Sequence, residues 1–287
     1  MCLIAFAIGV DPAVPLFIAA NRDEFLDRPT APLHRWALPN GMEVVGGRDL
    51  RDGGTWLGVN ACGRVAMLTN VRDAHARPAA RSRGELASRW LAGDVSWSAL
   101  LESLAPADYG GFNLVVGDVA SGDWGWASNR SPQAPHDSSS PALHQRRLEP
   151  GLYGLSNAAL DTGWPKTVRL KQALADALAL EVRGESASGR SRVLQALGDG
   201  QRLAEEALPL TGVPPAWEQT LSSAFVHVPE RAYGTRSSLL VRARPSAAAA
   251  AGPLGLSVAL EEWTHGDDHG GRPTWDEARR ETIELHW

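Results

Sequence analysis

Residues 2–9 and 15–20 are two apolar runs separated by Gly9-Val10-Asp11-Pro12-Ala13, and this pattern predicts a buried hairpin. Asn21-Arg22-Asp23-Glu24 is then expected where the second strand leaves the sheet, with Pro29 and Pro32 marking loop beyond it. A surface turn capped by the Asn or Asp is the competing reading of that tetrapeptide. Met42-Glu43-Val44-Val45 predicts a short strand. Paired glycines around Thr55-Trp56-Leu57 imply tight turns or close backbone approach. Gly63 to Asn70 predicts another strand, hairpin partner of the preceding one, with Asn60-Ala61-Cys62-Gly63 as the turn.

Helical spacing follows over Arg83 to Leu91 and Trp97 to Leu104. Residues 111–118 and 123–128 predict a hairpin, 130–142 a loop, and 151–157 a strand that ends in Asn157. Pro165 suits the first turn of a helix running to about Leu180, with Val168, Leu170, Leu174 and Leu178 on its apolar side. Residues 184–189 read as a linker, 191–198 and 201–207 as helical, and 216–221 as a short helix. Strands are expected at 224–228, 233–243, 256–263 and 281–287, with the alanine-rich 245–253 as a loop. No repeat or composition break divides the chain, so 1–287 is expected to be a single domain. Strands at both ends, helices between them and many hairpins favour an α+β domain built on antiparallel sheets over an alternating βαβ fold.

A hydrophobic fraction of 44% and a charged fraction of 21% belong to a soluble globular protein, and a net charge of −5 argues against general nucleic-acid binding. No stretch approaches the roughly 20 apolar residues of a membrane span. Cys2 and Cys62 cannot form a disulfide framework, so a cytoplasmic location is expected. Only Lys166 and Lys171 among the 28 basic residues are lysines, an arginine bias that suggests a GC-rich bacterial genome. Nothing in the chain speaks to oligomeric state.

The candidate chemistry begins at Cys2. Methionine is usually trimmed ahead of so small a side chain, which would leave a thiol and a free α-amine on one residue. With unperturbed pKa values of about 8.5 and about 7.7–8.0, the amine can act as base for its own sulfur. The bland reading of Cys2 is a small apolar residue at the edge of a buried strand. Asn70 ends an apolar strand, where an amide can face a cleft, whereas Cys62 falls in a turn and reads as incidental. Trp36, Trp56, Trp124 and Trp126 are candidates for an apolar pocket wall, with core packing as the default. The stretch His265-Gly266-Asp267-Asp268-His269 carries metal-type side chains, but its glycines prevent a helical presentation, so no metal site is expected.

Met1-Cys2-Leu3-Ile4, Asn21-Arg22-Asp23-Glu24, Gly53-Gly54-Thr55-Trp56-Leu57-Gly58, Leu68-Thr69-Asn70, Leu155-Ser156-Asn157 and Tyr233-Gly234-Thr235-Arg236 occur together and in order. The set resembles, over nearly the whole chain, the NRDE family, named for the tetrapeptide, which includes the transport and Golgi organisation protein 2 group. That family looks like a branch of the N-terminal nucleophile hydrolases, similar to choloylglycine hydrolase, penicillin V acylase and isopenicillin N acyltransferase. The resemblance implies a four-layer αββα sandwich of two antiparallel sheets.

It also implies site roles. Cys2 matches the nucleophile and Asp23 the aspartate near the α-amine. Asn70 and Asn157 resemble oxyanion-hole asparagines, and Arg236 the arginine that steadies the terminal residue. Asn21, Arg22 and Trp56 are substrate-binding candidates. The amidases carry an arginine two residues before an Asn-x-Asp, a place that alignment gives to Ala20, so Arg22 departs from their pattern. The implied reaction is hydrolysis or acyl transfer on a small amide or acyl-thioester, with no cofactor. The alternative is a non-enzymatic carrier of haem, acyl-CoA or lipid.

Overall fold

The computed structural model describes residues 2–75, 78–139, 141–246, 252–266 and 271–287. Strand β1 (Cys2–Asp11) is a continuous apolar run because both of its faces are covered. Ile4, Phe6 and Ile8 point into one core and Leu3, Ala5 and Ala7 into another, the alternation that a strand imposes. Its antiparallel partner β2 (Val14–Phe25) divides in the same way, with Leu16, Ile18 and Ala20 on one side and Phe17 and Ala19 on the other.

The first sheet has the order β10-β1-β2-β12-β13-β14, where β10 is Gly151–Leu155, β12 Tyr233–Pro245, β13 Leu256–Thr264 and β14 Arg280–His286. The short β11 (His227–Val228) pairs with β12. The second sheet runs in sequence order from β3 (Thr30–Ala37) through β4 (Glu43–Asp49), β5 (Leu57–Asn60), β6 (Arg64–Asn70), β7 (Phe112–Asp118) and β8 (Asp123–Ser128) to β9 (His144–Arg147). Every pairing in both sheets is antiparallel.

Three cores define four layers. The central one lies between the sheets and joins Ile4, Phe6 and Ile18 to Val45, Leu57, Met67 and Val115. A second packs helices α3 (Pro165–Val182) and α4 (Ser186–Leu197) on the first sheet through Leu170, Leu174, Ala177 and Val193. The third packs α1 (Gly84–Leu91) and α2 (Trp97–Glu102) on the second sheet through Leu86, Trp90 and Leu100. The fold is therefore the αββα sandwich expected from the resemblance. Each fully buried Phe or Leu in these cores is worth about 1.5–3 kcal/mol over an exposed one.

Several local expectations give way. The 21–24 tetrapeptide stays inside β2, which remains paired with β12 as far as Phe25. Residues 30–37 form β3 despite Pro32, because Pro32 sits at a register shift in an edge strand, where its missing N–H costs no ladder bond. β9 is short, polar and also at an edge, which hid it from a search for apolar runs. Residues 186–189 belong to α4 rather than a linker, and 201–207 contain only a 3-10 turn at Glu205–Ala207. Val168 faces solvent, so it does not share the apolar side of α3. Residues 247–251 of the alanine-rich loop and 267–270 of the histidine-aspartate stretch lie outside the described residues. Among the described residues no helix is long and apolar enough to cross a membrane.

Candidate active site

Pairing register sets Cys2 directly opposite Arg22 across the β1–β2 hairpin. Cys2 lies on the face of β1 that looks toward the second sheet, and β1 begins there, so the space between the sheets opens into a cleft of about 1180 Å³. Cys2, Arg22, Asp23, Trp56, Asn70 and Arg83 are among its lining residues. Cys2 is only 7% exposed, and burial pushes its thiol up to about 11, with Asp23 acting in the same direction and Arg22 against it.

Asp23 is 2% exposed and accepts a hydrogen bond from Thr235 Oγ1 at 2.7 Å. Burial raises its carboxyl, while the α-amine at the chain start, Lys166, the Thr235 bond and Arg72 hold that rise back. Arg22, 6% exposed, leaves Nη1 without a hydrogen-bond partner among the described residues, and its Nη2 lies 3.8 Å from Glu24 Oε2. Arg83 donates Nη1 to the Gly111 carbonyl at 3.2 Å. The 53–54 glycine pair explains how α1 delivers Arg83 to this wall. Gly53 takes a positive φ of 81°, and a Cβ on Gly54 would fall 2.4 Å from the Gly84 carbonyl carbon.

Asn157 is buried behind the cleft and donates Nδ2 to both the carbonyl and the Oδ1 of Asn70, each at 3.0 Å. Both hydrogens of its amide are thereby used. The Ser156 hydroxyl, 3.2 Å from the Cys2 carbonyl and 3.1 Å from Asn157 Oδ1, shares its single hydrogen between them. A continuous chain thus runs from the backbone of Cys2 through Ser156 and Asn157 to Asn70. Asn70 Nδ2 has no protein acceptor among the described residues and belongs to a cleft-lining side chain. The amide this geometry leaves to the cleft is that of Asn70, with Asn157 fixing its orientation.

Two predicted residues lie elsewhere. Asn21 pairs with Leu3, so the strand alternation turns it to the helix side. There it donates to the carbonyls of Leu197 (2.8 Å) and Ala224 (2.9 Å) and accepts from Ser238 Oγ (2.6 Å). Arg236 falls at the register shift of β12 against β2 and donates to the carbonyls of Phe25 and Arg28, tying down the β2–β3 connection rather than lining the cleft.

Other buried polar groups were not anticipated. Arg72 pairs with Glu218, which also accepts from Thr211. Glu262 is 2% exposed, accepts the Leu33 N–H at 2.7 Å across the two sheets, and is raised to about 7 by burial, against Ser237 and Arg22. Lys166 is 3% exposed on the helix face of Leu170 and Leu174. Its spacing of four from Leu170 was the readable signal, since it continues the apolar stripe toward the N-terminus of α3. No group of three or more metal-ligating side chains occurs among the described residues.

A family model described as Transport and Golgi organisation 2 matches residues 1–249. The Bos taurus Transport and Golgi organization protein 2 homolog is 33% identical over 263 residues, covering 84% of this chain and 88% of that protein. The Homo sapiens homolog is 33% identical over 258 residues with the same coverage, and the Drosophila melanogaster protein 26% identical over 255 residues. These relatives are animal proteins and lend no support to a bacterial source. Among solved structures, a conjugated bile acid hydrolase from Clostridium perfringens is similar with a TM-score of 0.48 and 10% identity, covering 100% of this chain and 97% of that one. A Caenorhabditis elegans N-acylethanolamine-hydrolyzing acid amidase ortholog has a TM-score of 0.45 and 10% identity, covering 84% and 92%.

Proposed function

The chain belongs to the Transport and Golgi organisation 2 family, and we propose that this member is a cytoplasmic N-terminal cysteine hydrolase or acyltransferase acting on a small amide or acyl-thioester. The observation that carries the reading is the hydrogen-bonded chain from Cys2 through Ser156 and Asn157, which leaves the Asn70 amide for a cleft that Cys2 also lines.

In this reading Met1 is removed and the Cys2 α-amine takes the thiol proton. The thiolate sulfur adds to the substrate carbonyl carbon, and the oxygen, now an anion, accepts a hydrogen bond from Asn70 Nδ2. The tetrahedral centre collapses with cleavage of the C–N or C–S bond, and the leaving group takes the proton from the α-ammonium. A thioester on Cys2 remains. Water, or an acceptor amine or thiol, then gives a proton to the α-amine as it attacks, and the cysteine is released as thiol. Asp23 would hold the α-ammonium, Arg22 would favour the thiolate by its charge, and Trp56 would supply an apolar wall.

Intact-mass measurement tests the premise, because Met1 retained on the native protein would rule this mechanism out. With Met1 gone, an electrophilic acyl probe is expected to label the protein, and Cys2→Ala to abolish labelling. Label that persists on Cys2→Ala would move the reactive thiol to Cys62.

One observation favours a carrier instead. A thiol pushed up to about 11 is a neutral side chain in a buried wall, which suits the holding of an acyl chain. Haem fits this wall less well, because a cysteine axial ligand is a thiolate. Saturable binding of a fatty-acyl ligand that Cys2→Ala leaves intact, with no turnover, would support the carrier.

A further inference from the structure

Lys166 stands in the first turn of α3 and is turned inward against the first sheet. Its ammonium donates to the carbonyls of Leu221 at 2.8 Å and Ser223 at 3.4 Å, leaving one hydrogen over. Those carbonyls open the 221–226 segment, and the far end of that segment is held by Thr235. The Thr235 N–H donates to the Val226 carbonyl at 2.8 Å, and the Val226 N–H donates to Thr235 Oγ1 at 2.9 Å. The same Thr235 hydroxyl donates to Asp23 Oδ1, while Asn21, two residues earlier on β2, takes the Ala224 carbonyl. Lys166 and Asp23 therefore grip one short segment from opposite ends, and both are withdrawn from water.

The electrostatics run in the same direction. Burial lowers Lys166 to about 8, and of the charges that act on it the attraction of Asp23 is the largest, ahead of Arg72, Cys2 and Glu218. Arg72 and Glu218 are occupied with each other. On the carboxylate side, burial raises Asp23, and the α-amine at the chain start resists that rise most, followed by Lys166, the Thr235 bond and Arg72, while the buried Tyr233 hydroxyl feels the Asp23 charge. A carboxylate so deeply buried stays ionised only with opposite charge close by.

We propose that Lys166 is the buried counter-charge of Asp23, a positioning residue that keeps Asp23 anionic so that Asp23 can hold the α-ammonium of residue 2. This rests on the N-terminal cysteine reading for its catalytic consequence, but the Lys166–Asp23 coupling stands apart from it.

The test uses full-length protein labelled with ¹³C at aspartate carboxyls, with Asp23→Asn identifying the resonance. In Lys166→Met the Asp23 midpoint is expected to rise by at least one pH unit, a tenfold change in proton affinity, whereas Lys166→Arg should stay near wild type. The acidic limb of Cys2 labelling by the acyl probe should move up with the midpoint. Lys166→Gln, which can still donate to both carbonyls, replaces the Met variant should that fail to fold. An Asp23 midpoint unchanged in the neutral variant overturns the proposal, as does a labelling rate lowered equally at every pH. Absence of wild-type labelling would sink the N-terminal cysteine reading, while the carboxyl titration would still decide the role of Lys166.

Discussion

Asn157 spends both amide hydrogens on Asn70, one on its main-chain carbonyl and one on its side-chain oxygen, each at 3.0 Å. The second bond fixes which way the Asn70 amide points, since an Oδ1 held from behind leaves Nδ2 for the cleft. Asn70→Ala should therefore lower acylation of Cys2 by ~10²–10³, the usual cost of one oxyanion donor. Asn157→Ala should lower it as well, because Asn70 loses its orientation. Alkylation of Cys2 by a small haloacetamide, which forms no oxyanion, should change little in either variant. Comparing the two reagents by mass spectrometry separates the roles, and equal losses with both would argue for general disorder of the site.

Asn21 should behave as a structural residue. Asn21→Ala removes the donor to two buried carbonyls and one of the two partners of the Ser238 hydroxyl, which also meets His265 Nε2, and a buried group left unsatisfied costs about 1–3 kcal/mol. Urea unfolding should show a loss of that order, with Cys2 labelling retained under native conditions. Normal stability with weakened probe affinity would instead place Asn21 in contact with substrate.

Glu262 should make stability fall as pH rises. Its native pKa is raised from 4.5 to about 7, so in that interval the folded protein holds a proton that the unfolded chain has lost. The stabilisation is fully present below 4.5 and lost as pH passes through about 7. Glu262→Gln stays neutral throughout and should gain about 3 kcal/mol on wild type between pH 4.5 and 8. Denaturant unfolding at pH 4.5, 6 and 8 measures the difference, and parallel curves for the two proteins would refute it.

The two thiols should react in opposite order before and after Met1 removal. With Met1 attached, the Cys2 thiol at about 11 leaves roughly one molecule in a thousand as thiolate at pH 8, while Cys62 is exposed. Iodoacetamide should mark Cys62 first in that form and Cys2 first once the α-amine is free. Peptide mapping of both forms would show the exchange, and an unchanged order would count against the amine as base.

The pattern of the chain showed the β1–β2 hairpin, the 60–63 turn and the strand-end position of Asn70 because each depends on neighbours in sequence. It missed β3 and β9, where the edge of a sheet tolerates proline and charge that an interior strand would not. Within the site, Cys2 and Asn70 were legible as types at strand ends, and Arg22 and Asp23 as types, though they lie inside β2 rather than beyond it. Which of the 21–24 side chains faces the cleft was not, because a one-residue change of register exchanges the two faces. Glu218 and Glu262 were out of reach for a different reason. Their meaning lies in contacts with residues far away in the chain, and nothing local distinguishes a buried charge from a solvated one.

The central position of β2 has a consequence for the timing of biosynthesis. One flank of β2 is β1, emitted from the ribosome just ahead of it, but the other is β12, and the Asp23–Thr235 bond spans 212 positions. At a bacterial-to-eukaryotic synthesis rate of 5–20 residues per second, roughly ten to forty seconds separate the emergence of the two strands. Until then the first sheet is unfinished and the start of the chain is open to a trimming enzyme. In the finished fold Cys2 keeps only 7% of its surface exposed. In the N-terminal cysteine reading, removal of Met1 is thus a race against the arrival of β12, and slowing translation or delaying β12 should raise the trimmed fraction.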